Sequence, residues 1–261
     1  MPLRIASVPY LNAAPLVAGL DRDPGVEFRV APPRMLARWL GEGGVDAALL
    51  PVVGFGMISP AVAIPAGCVS ATGACGSVRL FHRKPLDEVR TLAGDPDSVT
   101  SNALARIVLA SRGLRPAGVY LPGGRDPAES DADAFVLIGD PCLEFADADS
   151  GRTPSLDLAE AWVALTGVPA VFAIWAAPSG AVVPGLSERL VRAREEGTRD
   201  LAAVAAASSR PFGFSPERKA AYLSLFAYGV GDAQRAGIRA LITRAATEGL
   251  APAGRTVAFL D

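Results

Sequence analysis

The sequence predicts an α/β protein of two lobes, each a sheet flanked by helices, with a closing run of helices alone. Three observations predict it. Short apolar strands alternate with helical segments from Arg4 to Leu50. A second alternating run begins near Gly76, and after Pro184 only helical signals remain. With 261 residues, 50% of them hydrophobic, the chain can bury the core that two such units need.

The elements follow in order. Arg4 to Val8 reads as a strand that ends in a tight loop and opens a helix from about Ala13. Asn12 is the polar side chain at that junction. It either caps its helix or reads a small molecule, because strand-to-helix junctions at a sheet edge are where α/β folds hold ligands. Val26 to Ala31 is the next strand. Pro33 to Leu40 is a helix with Pro33 at its start and Gly41 past its end. Val45 to Leu50 is a fully apolar third strand, so the βαβαβ order implies a parallel sheet with helices on both faces. In the second unit, Ser77 to His82 and Thr91 to Gly94 read as strands. The cap-rich segment Asp97 to Asn102 precedes the apolar helix Ala103 to Leu109. Gly118 to Leu121 and Ala134 to Ile138 are further strands, Leu156 to Leu165 a helix, and Ala170 to Ala176 a long apolar strand. Ala177 to Gly185 is a Pro/Gly-rich connector. Helices then cover Leu186 to Ala207, Ser215 to Phe226 and Asp232 to Glu248, the last stopped by Gly249 with Pro252 beyond. Crossings between lobes are expected near Ser77–Phe81 and Ile174–Pro178. Lobe one is then 1–78 plus 178–261 and lobe two 79–177, with a cleft between them for a small ligand.

Composition removes several classes of function. The net charge is −2, without a basic patch or acidic tail, so nucleic acid and anionic membranes are poor partners. Cys68, Cys75 and Cys142 make an odd, irregular set and no disulfide framework; His82 is the only histidine, and no zinc-ligand spacing occurs, so no metal site is expected. No apolar run is long enough to span a membrane and no secretory signal is apparent, so a cytoplasmic location is expected. Phosphate loops, dinucleotide fingerprints and the nucleophile elbow are all missing from the sequence. The oligomeric state is left open.

Four places are candidates for chemistry. Besides Asn12, the hydroxyls of Ser98, Thr100 and Ser101 cluster at a helix start, where amides and the helix dipole favour an anion such as a carboxylate. Capping needs only one of the three. Ser77, at the first crossing, reads by itself as a small residue at a bend, and Arg79 two residues on reads as paired with a surface acid. Gly139-Asp140 follows the strand Phe135 to Ile138 at its carboxyl end, where ligands bind; a self-satisfied turn is the equal alternative. Trp162, Phe172 and Trp175 read as core, with Trp175 near enough to the second crossing to line the cleft.

These residues carry a resemblance. Ser7-Val8-Pro9-Tyr10-Leu11-Asn12-x-x-Pro15-Leu16 resembles the opening signature of the chorismate dehydratases of the futalosine route to menaquinone. Gly44 to Leu49, Gly76-Ser77-Val78, Asp97-Ser98-x-Thr100-Ser101, Ala134 to Asp140 and Thr166 to Trp175 resemble further signatures of that family, in the same order. The resemblance implies a two-lobed, periplasmic-binding-protein-like fold of type II. It implies loss of water from chorismate to give 3-[(1-carboxyvinyl)oxy]benzoate, with no metal or organic cofactor. It points to Asn12 and Ser77 as the catalytic positions, and to Ser98, Thr100, Ser101, Gly139 and Asp140 as substrate contacts. Pro51-Val52-Val53 and Arg79 depart from the family pattern, being more apolar and more polar respectively. Two other readings stand beside it. The sister 1,4-dihydroxy-6-naphthoate synthase resembles a Cys-Pro-Asn-Asp opening and uses a histidine, whereas this chain has Pro9-Tyr10-Leu11-Asn12. A solute-binding protein for a small carboxylate shares the fold and requires export.

Overall fold

In the computed structural model, which describes residues 1–58, 61–121, 126–180, 182–211, 213–254 and 257–260, strand β1 (Leu3–Ser7) seeds a five-stranded sheet. It runs parallel to β2 (Val26–Val30), in register from Leu3 opposite Val26 to Ser7 opposite Val30. On its other side it runs parallel to β3 (Ala47–Pro51). The crossover between β2 and β3 is α1 (Pro33–Gly41), whose buried Leu36 and Leu40 lie one turn apart on one face. Ala47 to Leu50 of β3 are all fully buried, as expected of a strand covered on both faces. Helix α2 (Val52–Met57) and strand β4 (Ala61–Ala71) complete the N-terminal part.

The second sheet is built from β5 (Val78–His82), β6 (Thr91–Ala93), β7 (Ala117–Val119), β8 (Ala134–Ile138) and β9 (Ser155–Asp157), in the spatial order β7-β6-β8-β5-β9. Helix α3 (Val99–Ser111) links β6 to β7, and α4 (Gly139–Asp149) follows β8 directly. The outer face of this sheet buries a second core in which the Phe81 and Phe135 rings stack at 5.3 Å. Phe145 of α4 meets both edge-on at 4.8 and 5.4 Å. Helix α5 (Leu158–Thr166) ends the unit at Gly167.

The chain then returns. Strand β10 (Ala170–Pro178) inserts antiparallel between β3 and β4, giving the first sheet the order β2-β1-β3-β10-β4. Four helices close the fold: α6 (Leu186–Arg199), α7 (Leu201–Ala207), α8 (Pro216–Leu223) and α9 (Asp232–Thr247). Both sheets are therefore mixed and flanked by helices, as the resemblance implies; the parallel pairing read from the βαβαβ order holds for β1, β2 and β3, and β10 and β4 add antiparallel pairs. No described helix is long and apolar enough to cross a membrane.

The structure corrects several expectations. Residues 170–177, expected in lobe two, are a strand of the first sheet, so the second passage between sheets runs through 167–169 and not Ile174–Pro178. The helix expected from Ala13 is a 3-10 turn, Leu11–Leu16, with Pro15 inside it. The helix expected over Leu186 to Ala207 breaks at Asp200, whose non-helical backbone (φ −142°, ψ 80°) interrupts it and whose carboxylate caps α7 through the Ala203 amide. Within the connector Ala177 to Gly185, Ala181 lies outside the described residues.

One carboxylate organises the passage between the sheets. Asp157 Oδ2 accepts from the amides of Cys75 (3.0 Å) and Gly76 (2.7 Å), while Oδ1 accepts from Ala159 (3.0 Å) and Glu160 (3.2 Å) at the start of α5. Asp157→Ala leaves these donors in a largely dry site and should cost about 3 kcal/mol of unfolding free energy. Asp157→Asn, which keeps one acceptor oxygen, should fall between. Urea unfolding of the three proteins checks the order; an alanine variant as stable as the parent would contradict it.

Candidate functional site

Where the first sheet's carboxyl ends face the second sheet, they leave a pocket, the place where two-lobed α/β proteins hold small molecules. Tyr10, Asn12, Pro51 and Phe172 form its wall on the first-sheet side. Val78, Gly139 and the start of α3 form the opposite wall.

Asn12 owes its availability to the second sheet. The 3-10 turn that carries it has no side-chain cap of its own. Its opening amide, Leu11 N, donates instead to Asp140 Oδ1 at 3.1 Å. Asn12 is therefore not a cap: it is only 9% exposed, lines the pocket, and its amide group has no hydrogen-bond partner among the described residues. That amide opens on the pocket and is free to bond a ligand there. Close packing holds the turn in place, because α6 brings Gly197 so near that a Cβ there would lie 2.2 Å from the Pro15 carbonyl oxygen.

On the facing wall, Ser98 caps α3: its Oγ accepts from the Ser101 amide (3.1 Å) and donates to Ser101 Oγ (2.8 Å). Thr100 Oγ1 reaches across and accepts from the Val53 amide at 3.0 Å, capping α2 from the other lobe. Arg34 of α1 and Asp97 form an ion pair over the same gap (3.0 Å), largely exposed and so weak. Gly139, with φ +58°, lets the Tyr10 ring approach so closely that a Cβ would sit 2.8 Å from Tyr10 Cδ1.

Ser98, Thr100, Ser101, Gly139 and Asn12 thus converge on the pocket, while Ser77 and Asp140 stand behind its lining. Ser77 is fully buried, its carbonyl accepting from the Gly139 amide (2.7 Å) and its Oγ from the Tyr222 hydroxyl (2.8 Å). Burial pushes Asp140 above the usual carboxylate range, against the pull of the Leu11 amide. Trp175 does not line the pocket; it is fully buried in β10, opposite Leu49 and Ile64. Arg79 forms no ion pair among the described residues and lies over the Phe81 ring at 5.5 Å. Phe172, read as core, is buried in the core and also forms a wall of the pocket. Tyr10 and Asp97, both inside quoted motifs, were passed over as lining residues because neither type nor spacing singles them out. His82 sits at the end of β5 remote from Val78, with Nδ1 2.7 Å from the Lys84 carbonyl oxygen.

A larger groove lies on the first lobe between residues 14–22 and helices α6 and α7. It is open, takes no residue from the second sheet, and its rim charges Arg22 and Glu196 already face each other at 3.4 Å.

Two mixed sheets joined by two passages, with a pocket between them, define a periplasmic-binding-protein-like fold. Solved structures agree. A protein from Archaeoglobus fulgidus superposes with a TM-score of 0.77 at 17% identity, covering 95% of this chain and 98% of that one. The alkanesulfonate-binding protein of Xanthomonas axonopodis superposes at 0.69 with 16% identity, covering 96% and 94%. A Candida albicans protein described as having the generic periplasmic binding protein fold gives 0.70 at 12%, covering 100% and 98%. The menaquinone biosynthesis family model matches residues 3–247, and the chain belongs to that family. The chorismate dehydratase of Thermus thermophilus is 31% identical in an alignment 251 positions long that covers 88% of this chain and 90% of the relative.

Beside the pocket, Asp95 is 8% exposed, and burial pushes its carboxyl up to about 6 even though the Asp97 amide bonds it at 2.9 Å. A folded-state value above the unfolded 3.8 means that the native state holds this proton more tightly. Stability is then lost as pH rises from about 4 through 6 and levels off above. Asp95→Asn keeps the acceptor and removes the charge. It should melt several degrees above the parent at pH 7 and with it at pH 4; parallel melting curves across that range would contradict the assignment.

Proposed function

We propose that this chain is a chorismate dehydratase acting in menaquinone biosynthesis, with the pocket between the sheets as its active site. The observation that carries the reading is the 31% likeness to a chorismate dehydratase along nearly the whole length of both chains. Asn12, a buried amide without a partner in the pocket wall, supports the location.

The chemistry asks little of the protein. The C3–H bond of chorismate breaks and its electron pair becomes a ring π bond; the C4–O bond breaks, and the departing hydroxide takes up a proton and leaves as water. The ring becomes aromatic, so the driving force lies in the substrate. The protein's task is to orient two carboxylates and to stabilise charge on the departing oxygen. Asn12 donates a hydrogen bond to the enolpyruvyl carboxylate, and Ser77, which stands behind Val78 and Gly139 of the lining, donates to the departing hydroxyl when the substrate seats between them. The start of α3, with Ser98, Thr100 and Ser101, holds the ring carboxylate by its amides, hydroxyls and dipole. Gly139 leaves room for the ring, and Asp140 keeps the Asn12 turn in position through Leu11. No histidine lines the pocket, and the substrate's own enolpyruvyl carboxylate is the base that takes the C3 proton. The three buried, free cysteines suit a reducing compartment, so we place the protein in the cytoplasm.

Incubation of the purified protein with chorismate should yield 3-[(1-carboxyvinyl)oxy]benzoate on chromatography. Asn12→Ala should lower kcat/KM roughly 100-fold, in line with removal of one charge-stabilising donor. Chorismate that persists apart from its spontaneous decay would point to a solute-binding role, and an Asn12→Ala variant with normal kinetics would move the site elsewhere.

A further inference from the structure

Tyr222 lies outside every motif of the sequence, yet it holds the one residue of the proposed pair that the pocket does not expose. It enters from α8, 145 positions after Ser77, and donates its hydroxyl to Ser77 Oγ at 2.8 Å. Both residues are buried, Tyr222 at 6% exposure and Ser77 at 0%. Burial raises the phenol well above its ordinary range, so it stays a neutral O–H at any working pH. Such a phenol has one proton to give, and it gives it to Ser77. The ring is also fixed: Phe226 meets it edge-on at 5.1 Å, and Phe226 in turn packs 6.5 Å from Phe172 in the pocket wall. One turn earlier, Lys219 Nζ donates to the Ser208 carbonyl at 2.7 Å and pins α8.

A serine oxygen that accepts from a fixed donor keeps its own proton for a second partner, and the accepted bond selects among its staggered hydroxyl positions. The Cys75 thiol adjoins the same hydroxyl, but sulfur is a weak acceptor and yields to a better one. We propose that Tyr222 is a positioning residue for the dehydration. It holds Ser77 Oγ as an acceptor from the α8 side, so that the serine proton is presented to the departing oxygen of the substrate. This rests on the reading of Ser77 as a functional residue.

The test is a double-mutant cycle on chorismate turnover with wild type, Tyr222→Phe, Ser77→Ala and the double variant, each rate normalised to the folded fraction from thermal melting. Tyr222→Phe keeps the ring and loses only the oxygen. It should lower kcat about 10-fold, the worth of one hydrogen bond, with KM within a factor of about two. In the Ser77→Ala background the same change should do nothing, because Tyr222 acts through Ser77. Equal losses in both backgrounds, or none in the first, would overturn the positioning role while leaving the dehydratase reading intact. A Ser77→Ala variant with full kcat would overturn the role together with that of Ser77. A wild type inert to chorismate would overturn the functional reading and the proposal with it.

Discussion

The carboxylate of Asp157 is the fixed point from which the pocket is built. By bonding four amides it ties the entry into the second sheet, at Cys75 and Gly76, to the start of the helix that precedes the exit. Ser77 follows at once, and its carbonyl receives the Gly139 amide. Asp140, the next residue, receives the Leu11 amide from the other lobe, and Asn12 is the residue after that. An unbroken chain of short contacts therefore runs from the hinge to the partnerless amide in the pocket. Most of these links are buried, where an unmade hydrogen bond is expensive. The pocket's walls are thus held in register by the same bonds that join the lobes.

The lobes meet around the pocket through polar contacts as well. Thr100 caps α2 across the gap, Arg34 faces Asp97, and the Tyr10 ring lies on Gly139. Tyr10 is surrounded by Asp95, Asp97 and Asp140, which with burial hold its phenol above the ordinary range. A doubly anionic substrate entering there meets carboxylates, so its own carboxylates must be held by amides, hydroxyls and the dipole of α3. Asp97 is balanced in part by Arg34. This arrangement fits a site that binds its ligand by directed hydrogen bonds.

Much of the fold was legible because its strands are short apolar runs between strong breakers. Ala134 to Ile138 was placed without error, and α1 and α9 were bounded within a residue or so by Pro33, Gly41 and Gly249. Strand β4 was hidden by Pro65 and Gly67. These two residues sit in a bulge, since Trp175 pairs with Ile64 while its neighbour Ile174 pairs with Cys68. Helix α4 was masked by the turn-like Gly139-Asp140-Pro141, although proline is tolerated in a first turn. The lobe boundary was misplaced because β10 is as apolar as any strand of either sheet, and only pairing shows to which it belongs. In the site, the local signals were readable: Asn12 at its junction and the hydroxyls at the start of α3. What could not be read were bonds between distant segments, such as Asp140 to Leu11, Thr100 to Val53 and Tyr222 to Ser77, for which the sequence carries no period or motif.

The most direct test of the account is a crystal structure with 3-[(1-carboxyvinyl)oxy]benzoate bound. The account predicts the ring between Phe172 and Gly139, one carboxylate at the first turn of α3 and the Asn12 amide bonded to the ligand. Density for the compound in the groove beside α6 and α7, or a complex that leaves the Asn12 amide without a partner, would contradict it.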